Sequence, residues 1–172
     1  KDYKNLLDVY LDATFFPRLD EDSFKQEGIR FEFEDPLDPE SGLRYKGVVY
    51  NEMKGALASP QAAVQKIVGE TMFPGLTYSF ISGGAPEHIP DLTWAHLRRF
   101  HATHYHPSNA YFYTYGDQNL EETLAAIEEN ALKHFDRIEV DTSIPDVKRF
   151  KKPVKATEPY PATKGEDNSK KA

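Results

Sequence analysis

The feature that most constrains the fold of this 172-residue chain is its shortage of strand pattern relative to helix pattern. Apolar residues recur at helical spacing in four or five stretches, while only about three stretches look like strands. Residues 3–16 place Tyr3, Leu6, Leu7, Tyr10, Leu11 and Phe15 at the spacing of an amphipathic helix that Pro17 ends. Phe24 to Glu27 forms one helical turn stopped by Gly28. Ile29, Phe31 and Phe33 then alternate with Arg30, Glu32 and Glu34, which predicts a half-buried strand, apolar on one face and charged on the other. Residues 35–42, with two prolines and a glycine, are a loop. Tyr45–Leu57 reads as a helix, with Val48, Val49, Met53 and Ala56 on one stripe. Ser59 as N-cap and Pro60 at the first helical position predict a helix to about Met72. Residues 73–92 are mostly loop, with a short strand at 77–81 and a turn at Gly83-Gly84. Thr93 caps a helix through about His104, and Ala110–Tyr115 is the strongest strand candidate because aromatic and β-branched residues dominate it. Asn119 caps a helix to about Phe135, with Glu122 placed to complete a capping box.

This pattern predicts an α+β domain of helices packed on a mostly antiparallel sheet. Three strands are few for a sheet that supports four or five helices, so the domain is expected to be incomplete.

Charge locates a boundary. Residues 148–172 hold eight Lys/Arg against three Asp/Glu, which leaves 13 against 25 in residues 1–147. The expected division is a domain over 1–136 and an extended, Lys- and Pro-rich linker over 137–172. The overall charge of −7 argues against a general nucleic-acid binder. No apolar run reaches the roughly 18 residues of a membrane span. No signal-peptide pattern is visible, and the absence of an initiator Met is expected of a chain that begins inside a longer protein or after processing. Zero cysteines exclude disulfides and thiol catalysis and suit a reducing compartment, such as bacterial cytoplasm or an organelle matrix.

Among residues able to do chemistry, Glu52 stands out because it projects from the apolar stripe of its helix. A carboxylate carried into a core costs several kcal/mol unless a metal, an Arg or a Lys compensates it. The commoner outcome is a Glu at the stripe's edge that reaches solvent. His101 and His104 share a helix face and His106 follows closely, a spacing that suits zinc. A helix terminus that simply tolerates histidine is the plainer reading, since no cysteine or fourth ligand accompanies them. His88 and His134 are surface residues. No Walker loop, GxGxxG or GxSxG occurs.

Three stretches together carry more information. NLLDVYLDATFFP (5–17), KGVVYNEMKGA (46–56) and LTWAHLRRFHATHYHPSNA (92–110) resemble the presequence-protease branch of the pitrilysin/insulinase family of zinc metallopeptidases. The resemblance covers the chain to about Phe135. It implies an inverted-zincin site, in which an HxxEH motif gives two His ligands and a general-base Glu, and a Glu on a later helix completes the zinc shell. Carried onto this sequence, the distal ligand is Glu52. Glu27, in a QEG context, is the implied supporting carboxylate, and the histidine cluster is implied to be structural.

No HxxEH or HxxE occurs in these residues, so the chain looks like an internal piece of the catalytic half. The expectation is that zinc belongs to the intact parent, that this piece alone binds none, and that it cleaves nothing. The implied partners are a peptide substrate and the remainder of the same polypeptide, whose missing strands would fill an exposed apolar sheet edge. Two competing readings are a non-catalytic pseudo-enzyme half of the same family and a free-standing binding module with a closed core.

Overall fold

The computed structural model describes residues 2–157. Its elements in chain order are α1 (Asp2–Phe15), α2 (Glu21–Glu27), β1 (Arg30–Phe33), β2 (Leu43–Lys46), α3 (Val48–Ala56), α4 (Pro60–Met72), α5 (Trp94–His104) and α6 (Leu120–Asn130), with short 3-10 turns between them. The architecture is α+β: six α-helices and one two-stranded antiparallel sheet among the described residues. The chain divides into two compact units. Among the described residues, one contains 2–21 together with Leu92–Thr142, the other Asp22–Asp91 with 143–157.

The first unit holds α1, α5 and α6. Leu11 and Phe15 of α1 pack with Ile127 of α6 and with Ala131, which is fully buried. Leu7, Ala110, Leu132 and Phe135 complete the cluster from its margin. The apolar residues of α1 thus divide: Leu7, Leu11 and Phe15, four apart, face the core, while Leu6, Val9 and Tyr10 stay exposed. Each buried aliphatic side chain contributes about 1.5–3 kcal/mol. Between α1 and α2, Leu19 adopts a left-handed φ of 42°, and its carbonyl accepts the Trp94 indole N–H at 2.6 Å. That bond holds a conformation a leucine otherwise avoids.

The second unit is built around the β1–β2 hairpin. Arg30 pairs with Lys46, Phe31 with Tyr45, Glu32 with Arg44 and Phe33 with Leu43. Tyr45 and Lys46, expected to open a helix, belong to β2 instead. The cause is an ion cluster, since Glu32 receives Arg30 at 2.6 Å and Lys46 at 2.9 Å and fixes both strands. The same cluster sets which face of β1 is buried. Arg30 and Glu32 are half-buried, while Phe31 and Phe33 are exposed beside Leu43 and Tyr45. The Phe31 and Tyr45 rings meet across the hairpin at 4.9 Å between centroids, tilted by 34°.

Two further strand expectations are corrected. Thr77–Ser79 is a 3-10 turn, closed by the Ser79 amide and hydroxyl, both donating to the Leu76 carbonyl. Ala110–Tyr115 joins no ladder among the described residues. Ala110 and Phe112 nevertheless point to the first unit's core, with Phe112 at 6.0 Å from Phe15, while Tyr111, Tyr113 and Tyr115 are exposed.

The caps follow the sequence closely. The side chains of Ser59, Thr93 and Asn119 accept the amides of Ala62, His96 and Glu122. α6 stops at Asn130, and a 3-10 turn at Leu132–His134 replaces the last part of the expected helix. The Glu122 carboxylate receives Lys4 of α1 at 2.6 Å, joining the first and last helices of this unit. Of the expected linker, residues 137–157 contain no helix or strand and residues 158–172 lie outside the described region.

Candidate metal-ligand carboxylates

The two implied carboxylates both lie in the second unit, on helices flanking the hairpin. Glu27 is the last residue of α2, is exposed, and accepts the side-chain amide of Gln26 at 3.3 Å. Glu52 is the fifth residue of α3 and is exposed. It has no hydrogen-bond or ion-pair partner among the described residues.

Of the two outcomes open to Glu52, a carboxylate carried into a core and one that reaches solvent from the stripe's edge, the structure has the second. Of the stripe that carries it, Val49 and Met53 are half-buried and Val48 and Ala56 are exposed. The helix is seated by other means. Met53 packs against Gly83, where a Cβ would fall 2.2 Å from the sulfur. Gly84 completes that turn at φ 91°, with its amide bonded to the Ile81 carbonyl. Lys54 lies 5.3 Å from the Tyr50 ring, and Tyr50 lies 5.9 Å from Tyr45 of β2. At its start α3 has no side-chain cap. Its N-cap is Gly47, which is buried and lies against the backbone of Gly28. The KG of the 46–56 stretch was the available sign of this contact, and sequence reasoning passed over it.

Five of the six histidines have a side-chain contact of their own. His101 Nε2 is 2.9 Å from the Thr14 carbonyl and its ring stacks on Tyr105. His104 stacks on Phe100 at 4.3 Å with Nδ1 toward the Thr103 hydroxyl. His106 is buried, its Nδ1 accepts the Ser108 amide at 3.1 Å, and its ring edge meets Phe135. His88 pairs with Asp91 at 3.7 Å and His134 sits against Phe16, both exposed. Among the described residues no three His, Cys, Asp or Glu side chains are grouped to hold a metal.

Local charge shifts two other carboxylates in this unit. Hydrogen bonds from Lys46 and then Arg30 hold Glu32 below the usual carboxylate range. Lys66 on α4, 2.6 Å from Glu87, does the same for Glu87. Glu52, by contrast, has a free pair of carboxylate oxygens on a seated helix. Such a group fits one arm of a divalent-metal shell and cannot complete one, because tetrahedral zinc needs three protein ligands even in an open catalytic site.

Comparison with known proteins bears on what completes it. The family described as "Peptidase M16 inactive domain" matches residues 91–172. The mitochondrial presequence protease of Xenopus tropicalis is 53% identical over 153 residues, covering 89% of this chain and 15% of that protein. The mouse protein of the same name is 52% identical over the same coverage. Presequence protease 1 of Arabidopsis thaliana, chloroplastic/mitochondrial, is 41% identical over 99% of this chain and 16% of its own length. Protein HypA of Clostridium perfringens is 39% identical over the whole chain and 18% of its own length. The chain therefore spans about a sixth of the relatives it matches.

Proposed function

The chain belongs to the M16 peptidases, the pitrilysin/insulinase family, in the presequence-protease branch, and on that premise we propose that it is a segment of a zinc endopeptidase to which it supplies the distal ligand, Glu52. The observation that carries the reading is the unpartnered Glu52 carboxylate in the NEMKG stretch of α3. Residues 1–136 then belong to the catalytic domain and 137–172 to the connection that follows it.

When bound, zinc supplies a Lewis acid that polarises a carbonyl and stabilises developing negative charge. The work of this chain's own residues is narrower. Glu52 brings one anionic oxygen donor on a helix held by Met53 and by the hairpin. Glu27, at the end of α2, orients the ligand set through hydrogen bonds. The HxxEH residues that complete the shell and act as general base lie in the remainder of the parent polypeptide. The proposed substrates are short unstructured peptides, including cleaved targeting sequences, that add as a strand to a sheet edge.

One finding favours a second reading, a non-catalytic half: the family matched over 91–172 is described as an inactive domain. Glu27 and Glu52 both precede residue 91, so that match leaves the metal-ligand reading of them intact.

The test is zinc content and peptidase activity of the upstream-extended parent beside those of this chain alone. The parent is expected to hold one zinc and cleave peptides, and this chain to do neither. In the parent, Glu52→Gln should lower zinc affinity by more than about 100-fold, and Glu27→Gln by about 10–100-fold. Full zinc occupancy in the Glu52→Gln parent sinks the assignment. Stoichiometric zinc on this chain alone redirects attention to His101 and His104.

A further inference from the structure

Gly47 is buried, and a carbon added at its Cβ position would lie 2.0 Å from the Gly28 carbonyl oxygen, 2.6 Å from the Gly28 carbonyl carbon and 3.1 Å from the Ile29 Cα. Ordinary carbon contacts need about 3.5 Å, so only glycine fits while the backbones stay where they are. Torsion is not the reason, because the Gly47 φ of 173° is extended backbone open to any residue.

What meets at this contact gives it meaning. Gly28 directly follows Glu27 and closes α2, its amide donating to the Phe24 carbonyl at 2.8 Å. Gly47 opens α3 five residues before Glu52, at a helix start with no side-chain cap to fix it. The adjacent hairpin pair Arg30–Lys46 holds the two backbones in register. We infer that the Gly28–Gly47 contact is a positioning device that sets the separation of Glu27 from Glu52. This rests on the reading of those carboxylates as metal ligand and support. The Gly83–Met53 contact adds a second hold beside Glu52, limiting rotation of α3 about its axis.

The absence of cysteine allows a direct measurement. Glu27→Cys and Glu52→Cys, both at exposed positions, accept spin labels, and pulsed dipolar spectroscopy then reads the distance between them in this chain. With Gly47 in place the distribution is expected to be narrow. Gly47→Ala should move its centre by on the order of 1.5 Å, the retreat from 2.0 Å to ordinary contact, or visibly broaden it. Gly55→Ala is the control, because a Cβ there meets nothing within 4 Å, and it should leave the distribution unchanged. Circular dichroism checks that helix content is kept. If Gly47→Ala folds too poorly to measure, Gly28→Ala takes its place. Its Cβ would lie 2.8 Å from the Phe24 carbonyl oxygen, so the end of α2, whose Gly28 backbone Gly47 lies against, has to shift and with it the position of Glu27. An unchanged distance in the glycine variants, or a broad distribution with both glycines present, overturns the inference. Zinc binding by the Glu52→Gln parent is a separate readout: if metal is retained while the distances shift, the ligand reading fails and the spacing device stands.

Discussion

Ile127 shows what single residues contribute in the first unit. It is 3% exposed and packs among Leu11, Phe15 and Ala131. Ile127→Ala removes three buried carbons and leaves a void, so it should lower stability by about 2–5 kcal/mol, read as a fall in the denaturant midpoint at constant slope. Caps are the residue-scale feature most legible from sequence, as Ser59, Thr93 and Asn119 show, because a cap is a bond between neighbours three apart. The capping-box partner was half legible. The Glu122 amide is where sequence puts it, but its carboxylate receives Lys4, 118 residues away. His106 was not legible as a buried cap, because nothing local shows which of three nearby histidines faces Phe135.

At the scale of elements, the hairpin makes the clearest test. Its strands are held by Glu32 between Lys46 and Arg30, and Glu32 titrates below its ordinary range. A carboxyl with a lowered folded-state pKa stabilises the folded form above the unfolded value of about 4.3, and that stabilisation drains away as pH falls through the folded value. Amide exchange across Arg30–Phe33 and Leu43–Lys46 should therefore speed up in acid relative to pH 6. Glu32→Gln should remove most of the pH dependence, and a hairpin equally protected at pH 3 would count against this role. Ala110–Tyr115 makes the opposite prediction. Its β-propensity is high, yet it has no ladder partner among the described residues, so its amides should exchange quickly in this chain. Slow exchange there would show pairing with another strand.

For the molecule as a whole, the exposed apolar faces are the main fact. Leu6, Val9 and Tyr10 on α1, Val64, Val68 and Met72 on α4, and the aromatic face of the hairpin all stand open. A helix apolar on more than one side belongs inside a larger packing. The chain spans about a sixth of its relatives' length, and on the proposed reading the rest of the parent covers these faces. The sequence by itself determined the starts of α4, α5 and α6, the α+β class and the family, because caps, periodicity and motif spacing are local or one-dimensional signals. Tertiary structure alone decided that the ions of β1 turn inward and its aromatics outward, since an ion cluster needs both strands in register. It also decided that Glu52 faces solvent, because an apolar stripe is buried only where something packs on it. The Gly28–Gly47 contact belongs there as well: it joins backbones nineteen residues apart, so closely that a Cβ at Gly47 would fall 2.0 Å from the Gly28 carbonyl oxygen, and the KG of the sequence marks only one side of it.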